Sequence, residues 1–296
     1  LRANSGKPRR RVITALYWVL SGLCLAVCYT ARLALSIVLI AMMITGILKA
    51  LADKQPDTWR RWSCPARTIL LIFLTLGSQK LSVAYMEDRA GVELADGIPA
   101  ILTVAMGIQD ESENENGTGP GGYNAYNLWL YFGSGFDGES ASSEALLNIK
   151  QTLYRWSKDP AAMIRYMNRK VLNQWNEASY GGFRMTAQQQ EPEDWVNDFY
   201  TGAAGDKCYL FLNLFQGMVY AMLLIYFIML FRGSHNSLCF LPALILIGEF
   251  FFSMIWEAKS RYIYPYIVMA LPCAAWSLAC CAGKITEYVK KLRNGS

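Results

Sequence analysis

The segment Glu257-Ala-Lys-Ser-Arg-Tyr-Ile-Tyr-Pro-Tyr266 stands between two apolar runs, one ending at about Trp256 and one continuing to about residue 283. A helix crossing a hydrocarbon core of about 30 Å needs roughly 20 apolar residues. Charged side chains at the end of such a helix cost free energy unless they meet one another, water or a ligand. Two apolar runs joined by Glu257, Lys259 and Arg261 therefore read as two membrane helices with a charged turn at the bilayer surface, and the rest of the chain is read outward from them.

The 53% hydrophobic content of the 296 residues is gathered in blocks rather than spread as a soluble core would spread it. Six blocks have spanning length, at about 12–30, 33–52, 66–85, 208–231, 238–257 and 262–283. The expected fold is an all-α polytopic membrane protein of about six transmembrane helices. A mainly helical extracytoplasmic domain is inserted between the third and fourth spans. The expected divisions are 1–85 (three spans), 86–206 (outer domain) and 207–296 (three spans and a cytoplasmic tail).

Positive residues in short loops stay on the cytoplasmic side. Lys7, Arg9, Arg10 and Arg11 precede the first block, Lys49, Lys54, Arg60, Arg61 and Arg67 flank the second and third, and Lys284, Lys290, Lys291 and Arg293 follow the sixth. With six spans all three clusters fall on one face. The expected protein is then a multi-pass plasma-membrane protein with both termini inside, and residues 86–206 and the Glu257–Arg261 turn together outside. The 86–206 region holds 18 acidic against 8 basic residues, a balance of −10 in a chain that is +5 as a whole. Such a surface excludes nucleic acid as a partner.

All eight cysteines lie in or beside apolar blocks and read as small buried apolar residues, and no disulfide framework is expected in the outer region. Cys24 and Cys28 share a helix face, but the single histidine, His235, is remote in sequence, so no metal site is expected.

Within the outer region, Glu87–Asp96 reads as a polar helix ending near Gly97, Ile98–Ile108 as an apolar element too short to span, and Asp110–Gly122 as an acidic, glycine-rich loop. A helix capped by Ser140, Ser142 or Ser143 is expected to run to about Trp156, with Ala145, Ile149, Leu153 and Trp156 as its apolar stripe. Asp159-Pro160 opens a second helix to about Trp175, with Met163, Tyr166, Met167, Val171 and Trp175 inward and Arg165, Arg169 and Lys170 on its outer face, which reads as solvated ahead of a contact with lipid headgroups or an anionic substrate. Tyr180-Gly-Gly-Phe183 ends this hairpin, and 184–206 reads as loop.

In order along the chain stand Pro99, Met106-Gly-Ile108, Gly122-Tyr-Asn124, an Ile149-Lys150 helix, Trp175-Asn176 with Gly181-Gly-Phe183, and Trp256-Glu-Ala-Lys-Ser-Arg-Tyr262 followed by Pro265. This order resembles the carboxy-terminal half of bacterial polyprenyl-phosphate-sugar-dependent glycosyltransferases of the GT-C class, the group that includes dolichyl-phosphate-mannose protein mannosyltransferase-like proteins. The resemblance implies a membrane enzyme of the cell envelope. It would move a sugar from a lipid-linked donor to a glycan or protein acceptor on the outer face. It also implies a catalytic acidic residue in the first outer loop of such proteins. The one early outer turn here reads Thr30-Ala-Arg32, so no catalytic residue is assigned. Because the chain begins at Leu1 without Met, that loop is expected upstream and the chain alone is expected to be inactive. Several members use a divalent metal, but the sequence shows no ligand set and requires no cofactor.

The substrate-binding residues expected from the turn are Glu257, Lys259, Arg261 and Tyr262. A departing lipid phosphate leaves negative charge that Arg or Lys stabilises better in a low-dielectric cleft than in water. Arg offers a planar fork to phosphate oxygens, Lys a point charge. Glu257 and Arg261 stand four apart and can pair if the helix continues through them. Tyr262, Tyr264 and Tyr266 either stack on a sugar or form an interfacial aromatic belt, and the two bases are otherwise snorkelling anchors. Glu249 lies about 12 Å below Glu257 on a helix rise of 1.5 Å and must face the bundle interior, be protonated or find a partner, for which Lys80 is a candidate. The rival functions are an outer-loop polysaccharide polymerase or ligase and a non-catalytic transporter or scaffold. Transporters usually carry internal repeats, and none is visible.

Overall fold

The computed structural model describes residues 6–31, 35–53, 58–94, 97–109, 119–183, 193–233 and 237–294. All its regular elements are helical, with no strand among the described residues. In chain order they are α1 (Gly6–Ala31), α2 (Ser36–Ala52), α3 (Thr58–Ala90), α4 (Ala100–Gly107), α5 (Tyr126–Gly133), α6 (Gly138–Lys158), α7 (Pro160–Trp175), α8 (Asp194–Thr201), α9 (Ala203–Arg232), a 3-10 turn (Ser237–Phe240), α10 (Leu241–Ile255) and α11 (Ser260–Asn294).

Among the described residues three stretches are long and apolar enough to cross a membrane: Arg61–Ala90 of α3, all of α9, and Ser260–Tyr288 of α11. They mark the chain as membrane-associated. Three further apolar stretches are shorter among the described residues, Leu16–Tyr29 within α1, and α2 and α10. At 1.5 Å per residue the 15 residues of α10 reach about 22 Å, because the helix opens only after the 3-10 turn and stops at Ile255.

The chain divides into two compact units. The first comprises residues 1–95 and 235–245 and is built on α3, against which α1 and α2 pack. The α2–α3 approach is close: a Cβ on Gly46 would lie 3.4 Å from the Pro65 nitrogen. Buried hydroxyls on these helices bond back to their own turn, Thr45 to Ala41 O at 2.7 Å and Thr75 to Leu71 O at 2.8 Å, which satisfies them without water. Phe73 and Leu81 stand 69% and 73% exposed on α3, an outward apolar surface suited to lipid.

The second unit comprises residues 96–234 and 246–296. Here α9 packs along α11, with Tyr226 and Trp276 edge to face at 5.9 Å. A layer of shorter helices has its core where α4 meets α6. Leu102, Ala105, Ala141 and Ala145 are buried there, and the three alanines let the two backbones approach. Ile98, Tyr126 and Leu130 close the edge of this core.

Helix ends follow local chemistry. Asp159 accepts from Ala162 N at 3.0 Å with Pro160 in the first turn, as the sequence indicates. The preceding helix begins earlier than its serines indicate: Asp137 accepts from Glu139 N at 3.0 Å and caps α6. Its buried face is Ala141, Ala145 and Thr152, whereas Leu153 is exposed. The helix expected over Glu87–Asp96 ends at Ala90, because Gly91 turns the chain at a φ of 67°, and residues 95 and 96 lie outside the described residues. Residues 194–201 and 203–206, expected as loop, are helical. The acidic stretch 110–118 and residues 184–192 lie outside the described residues.

Candidate functional site

Helix α10 closes with Trp256 N donating to Phe252 O at 3.0 Å, after which the chain runs unwound to Ser260. Carbonyl groups at such an end have no intrahelical donor. Lys170 of α7 supplies one. Its Nζ donates to Met254 O at 3.0 Å, to Trp256 O at 2.7 Å and to Gly107 O at the end of α4. An ammonium has three protons, and here they meet three carbonyl oxygens. Tyr166, one turn before Lys170, donates its hydroxyl to the same Gly107 oxygen at 2.8 Å. Lys170 is 0% exposed, and burial pushes its pKa down from 10.5 to about 7.

Glycine is required around this lysine. A Cβ on Gly107 would lie 2.6 Å from Ile255 O, and one on Gly121, at a φ of 65°, would meet the Tyr166 hydroxyl at 2.8 Å and Lys170 Nζ at 2.9 Å. Ala258 N then donates to Gly121 O at 2.8 Å, so the unwound segment is held by backbone contacts on its way to α11.

The residues expected from the sequence come together here. The Glu257 carboxylate is buried. Its Oε1 lies 2.9 Å from Lys259 Nζ, a charge contact rather than an aligned hydrogen bond, and its Oε2 accepts from the Tyr262 hydroxyl at 3.3 Å. Lys259 Nζ also lies 4.7 Å from the centre of the Tyr123 ring, and the Arg261 guanidinium 5.6 Å from that of Tyr262. Arg261 is exposed on the first turn of α11, Lys259 is half-buried, and Glu257 offsets one of the two positive charges. The pairing of Glu257 with Arg261 four residues on assumed a continuous helix. The unwound 256–259 segment removes that spacing.

The three tyrosines divide. Tyr266 is 2% exposed and belongs to the core, available neither to a sugar nor to an interfacial belt. Tyr264 is exposed, with its ring 5.0 Å from that of Tyr180. Tyr180 holds a φ of 52°, a left-handed conformation costly for a bulky residue. Glu177 holds that turn, accepting from Ser179 N at 3.0 Å, from the Ser179 hydroxyl and from Gly181 N. It also accepts from the Ser260 hydroxyl at the start of α11 at 2.9 Å. Burial raises the Tyr180 pKa above its usual 10.0. Glu249 is buried on α10, whereas Lys80 is exposed.

Below the 178–183 turn lies a cavity of about 500 Å3 between α9 and α11, lined by Tyr180, Phe183, Phe215, Gln216, Tyr264 and Leu271 among others. Every one of its lining residues is uncharged.

Sequence reading missed Lys170, placed there on the solvated face with Arg165 and Arg169. The signal was present: Tyr166, Lys170 and Gln174 recur every four residues and form the buried stripe of α7. Among the described residues no group of three or more His, Cys, Asp or Glu side chains is assembled to hold a metal ion. No protein-family model, curated protein or solved structure matches this chain.

Proposed function

We propose that this chain belongs to a membrane glycosyltransferase that moves a sugar from a polyprenyl-phosphate carrier to an extracytoplasmic glycan or protein, and that the 256–262 turn takes the donor phosphate. The observation that carries this reading is the turn itself. A break between two apolar helices is held by a fully buried lysine and two glycines, and it presents Lys259 and Arg261 against aromatic rings.

In this mechanism Arg261 binds two phosphate oxygens through its planar fork, and Lys259, held by Glu257, adds a second positive charge. As the sugar leaves, charge accumulates on the phosphate and both cations stabilise it more strongly than in the ground state. The lipid chain passes Tyr264, one turn below Arg261, into the uncharged cavity between α9 and α11. The chain spans the membrane six times, with both termini cytoplasmic and residues 86–206 outside. The 17 residues of α2 and the 15 of α10 are accommodated by local thinning or by flanking residues.

A photoactivatable polyprenyl-phosphate analogue, applied to membranes containing the protein, tests the assignment. It should label peptides from 256–271, and excess unmodified polyprenyl phosphate should suppress that labelling. Labelling that is absent, or that polyprenyl phosphate does not suppress, would remove the donor site. Topology is tested separately with an impermeant thiol reagent on Ser112→Cys and Ser237→Cys in a cysteine-free background. Intact cells should label only the first, and the reverse pattern would overturn the orientation.

A further inference from the structure

The helical layer of the second unit holds another cavity, about 350 Å3, with a different chemistry. It is lined by Ala105 and Gln109 and by Asn148, Gln151, Thr152 and Arg155 of α6. Ala105 and Thr152, 2% and 5% exposed, make a rigid floor continuous with the α4–α6 core. The lining contains no carboxylate and one apolar side chain.

Three of its polar side chains are oriented from behind. Asn124 donates through Nδ2 to Gln109 Oε1 at 2.7 Å, while its own Oδ1 accepts from Tyr126 N at 3.0 Å. Asn148 donates through Nδ2 to the Tyr126 hydroxyl at 2.6 Å. The Arg155 guanidinium donates to the Thr152 hydroxyl at 3.1 Å. These bonds engage the carbonyl of Gln109 and the amide nitrogen of Asn148. The Gln109 Nε2 donors and the Asn148 Oδ1 acceptor remain, and among the described residues neither makes another hydrogen bond. The Gln151 amide, exposed at the edge, makes none through its side chain among the described residues.

A ligand that satisfies this surface must donate and accept at neighbouring positions. A ring bearing vicinal hydroxyls does both with each group. A phosphate would face one guanidinium alongside the carbonyl oxygens of Asn148 and Gln151, which repel it. An apolar ligand would strand every amide, which sites built from hydrogen-bonding groups discriminate against strongly. The volume falls within the roughly 300–1,000 Å3 of small-molecule pockets.

We infer that the cavity between α4 and α6 is a saccharide-binding site that takes a neutral pyranose through its vicinal hydroxyls. Gln109 donates to one hydroxyl oxygen, Asn148 accepts from the next, and Gln151 and Arg155 close the edge. The site goes beyond the donor-phosphate reading. Only its identification with the sugar acceptor of transfer rests on that reading.

The test is a saturation-transfer NMR titration of the protein in phospholipid nanodiscs, free of glycoside detergent. The probes are methyl α-D-mannopyranoside, glucose and N-acetylglucosamine, with cyclohexylmethanol for comparison and inorganic phosphate as a competitor. At least one pyranose should give a saturable signal that cyclohexylmethanol does not give and that inorganic phosphate does not displace. Gln151→Leu, whose side chain supports nothing else in the fold, and Asn148→Leu should each weaken it tenfold or more, while Arg165→Ala on the exposed side of α7 leaves it unchanged. Absence of saturable pyranose binding, displacement of the pyranose by phosphate, equal binding of cyclohexylmethanol, or an unchanged signal in Gln151→Leu and Asn148→Leu would each overturn the assignment. Donor photolabelling read on the same sample separates the two readings. Lost labelling with retained pyranose binding sinks the donor site alone, and the converse sinks the saccharide site alone.

Discussion

Lys170 and Lys259 both act on the 256–262 turn, one from within the fold and one at its surface. Lys170, fully buried, directs three protons at the backbone carbonyls of Gly107, Met254 and Trp256. Lys259, with 30% of its side chain exposed, contacts a carboxylate and an aromatic face. The first fixes where the chain leaves α10, and the second is carried on the segment so fixed. A buried ammonium is a costly way to end a helix, since burial alone opposes its charge. Its presence here shows that the geometry of this break is strongly specified.

The largest effect expected from breaking this comparison is that of Lys170→Met, which keeps the bulk and leaves the Met254 and Trp256 carbonyl oxygens without the lysine donor, while Gly107 O keeps the Tyr166 hydroxyl. At about 1–3 kcal/mol for each stranded group the loss is several kcal/mol. Tryptophan-fluorescence melting in nanodiscs should show a markedly lower transition. Lys259→Met, tested identically, should lower the transition less than Lys170→Met, because it takes a counter-charge from one carboxylate, which keeps the Tyr262 hydroxyl.

The second effect is a dependence on pH. The Lys170 pKa is about 7 in the fold and 10.5 ordinarily, so between these values the unfolded chain binds more protons. Stability must then rise with pH across that window. The melting transition should climb from pH 7 to about pH 10, and Lys170→Met should flatten the climb. A wild-type transition that falls over this range would show that the three carbonyls hold the lysine charged more strongly than burial opposes it.

Smaller effects lie on the exposed side of the same helix. Asp159→Ala removes the cap of α7 and should cost about 1 kcal/mol by the same melting measurement. Arg165, exposed and 3.5 Å from Asp159, should contribute at most about 0.5 kcal/mol when changed to Ala. If Arg165→Ala were as damaging as Lys170→Met, the distinction between the buried and outer faces of α7 would be lost.

What was legible in the sequence was what short-range chemistry decides. Asp159-Pro160 is a cap and a first-turn proline whatever surrounds it, and the apolar blocks announce their helices by composition. The charged 257–262 segment was readable because charge beside apolar runs demands an explanation. The exact end of α10 was not, because Trp256-Glu257-Ala258 carries no glycine or proline to stop a helix. Tertiary contacts stop it there, through Lys170 on α7 and Gly121 in the preceding loop. Lys170 itself was misplaced because lysine is ordinarily an outward residue, and only the four-residue recurrence of Tyr166, Lys170 and Gln174 distinguishes it. The α4–α6 cavity was invisible for a related reason. Gln109, Asn148 and Arg155 are ordinary surface residues until the fold places Asn124, Tyr126 and Thr152 behind them.

The most direct test of the central claim is donor-dependent sugar transfer in native membranes, measured at limiting polyprenyl-phosphate sugar with Arg261→Ala in the full-length protein and expression matched. Removing a charge-assisted contact to phosphate costs about 1.5–3 kcal/mol, so transfer should fall about tenfold to over a hundredfold. Arg261→Lys should recover only part of the loss, because an ammonium cannot form two parallel bonds to phosphate oxygens. Transfer by Arg261→Ala equal to that of the parent at limiting donor would contradict the account and leave the turn an interfacial anchor.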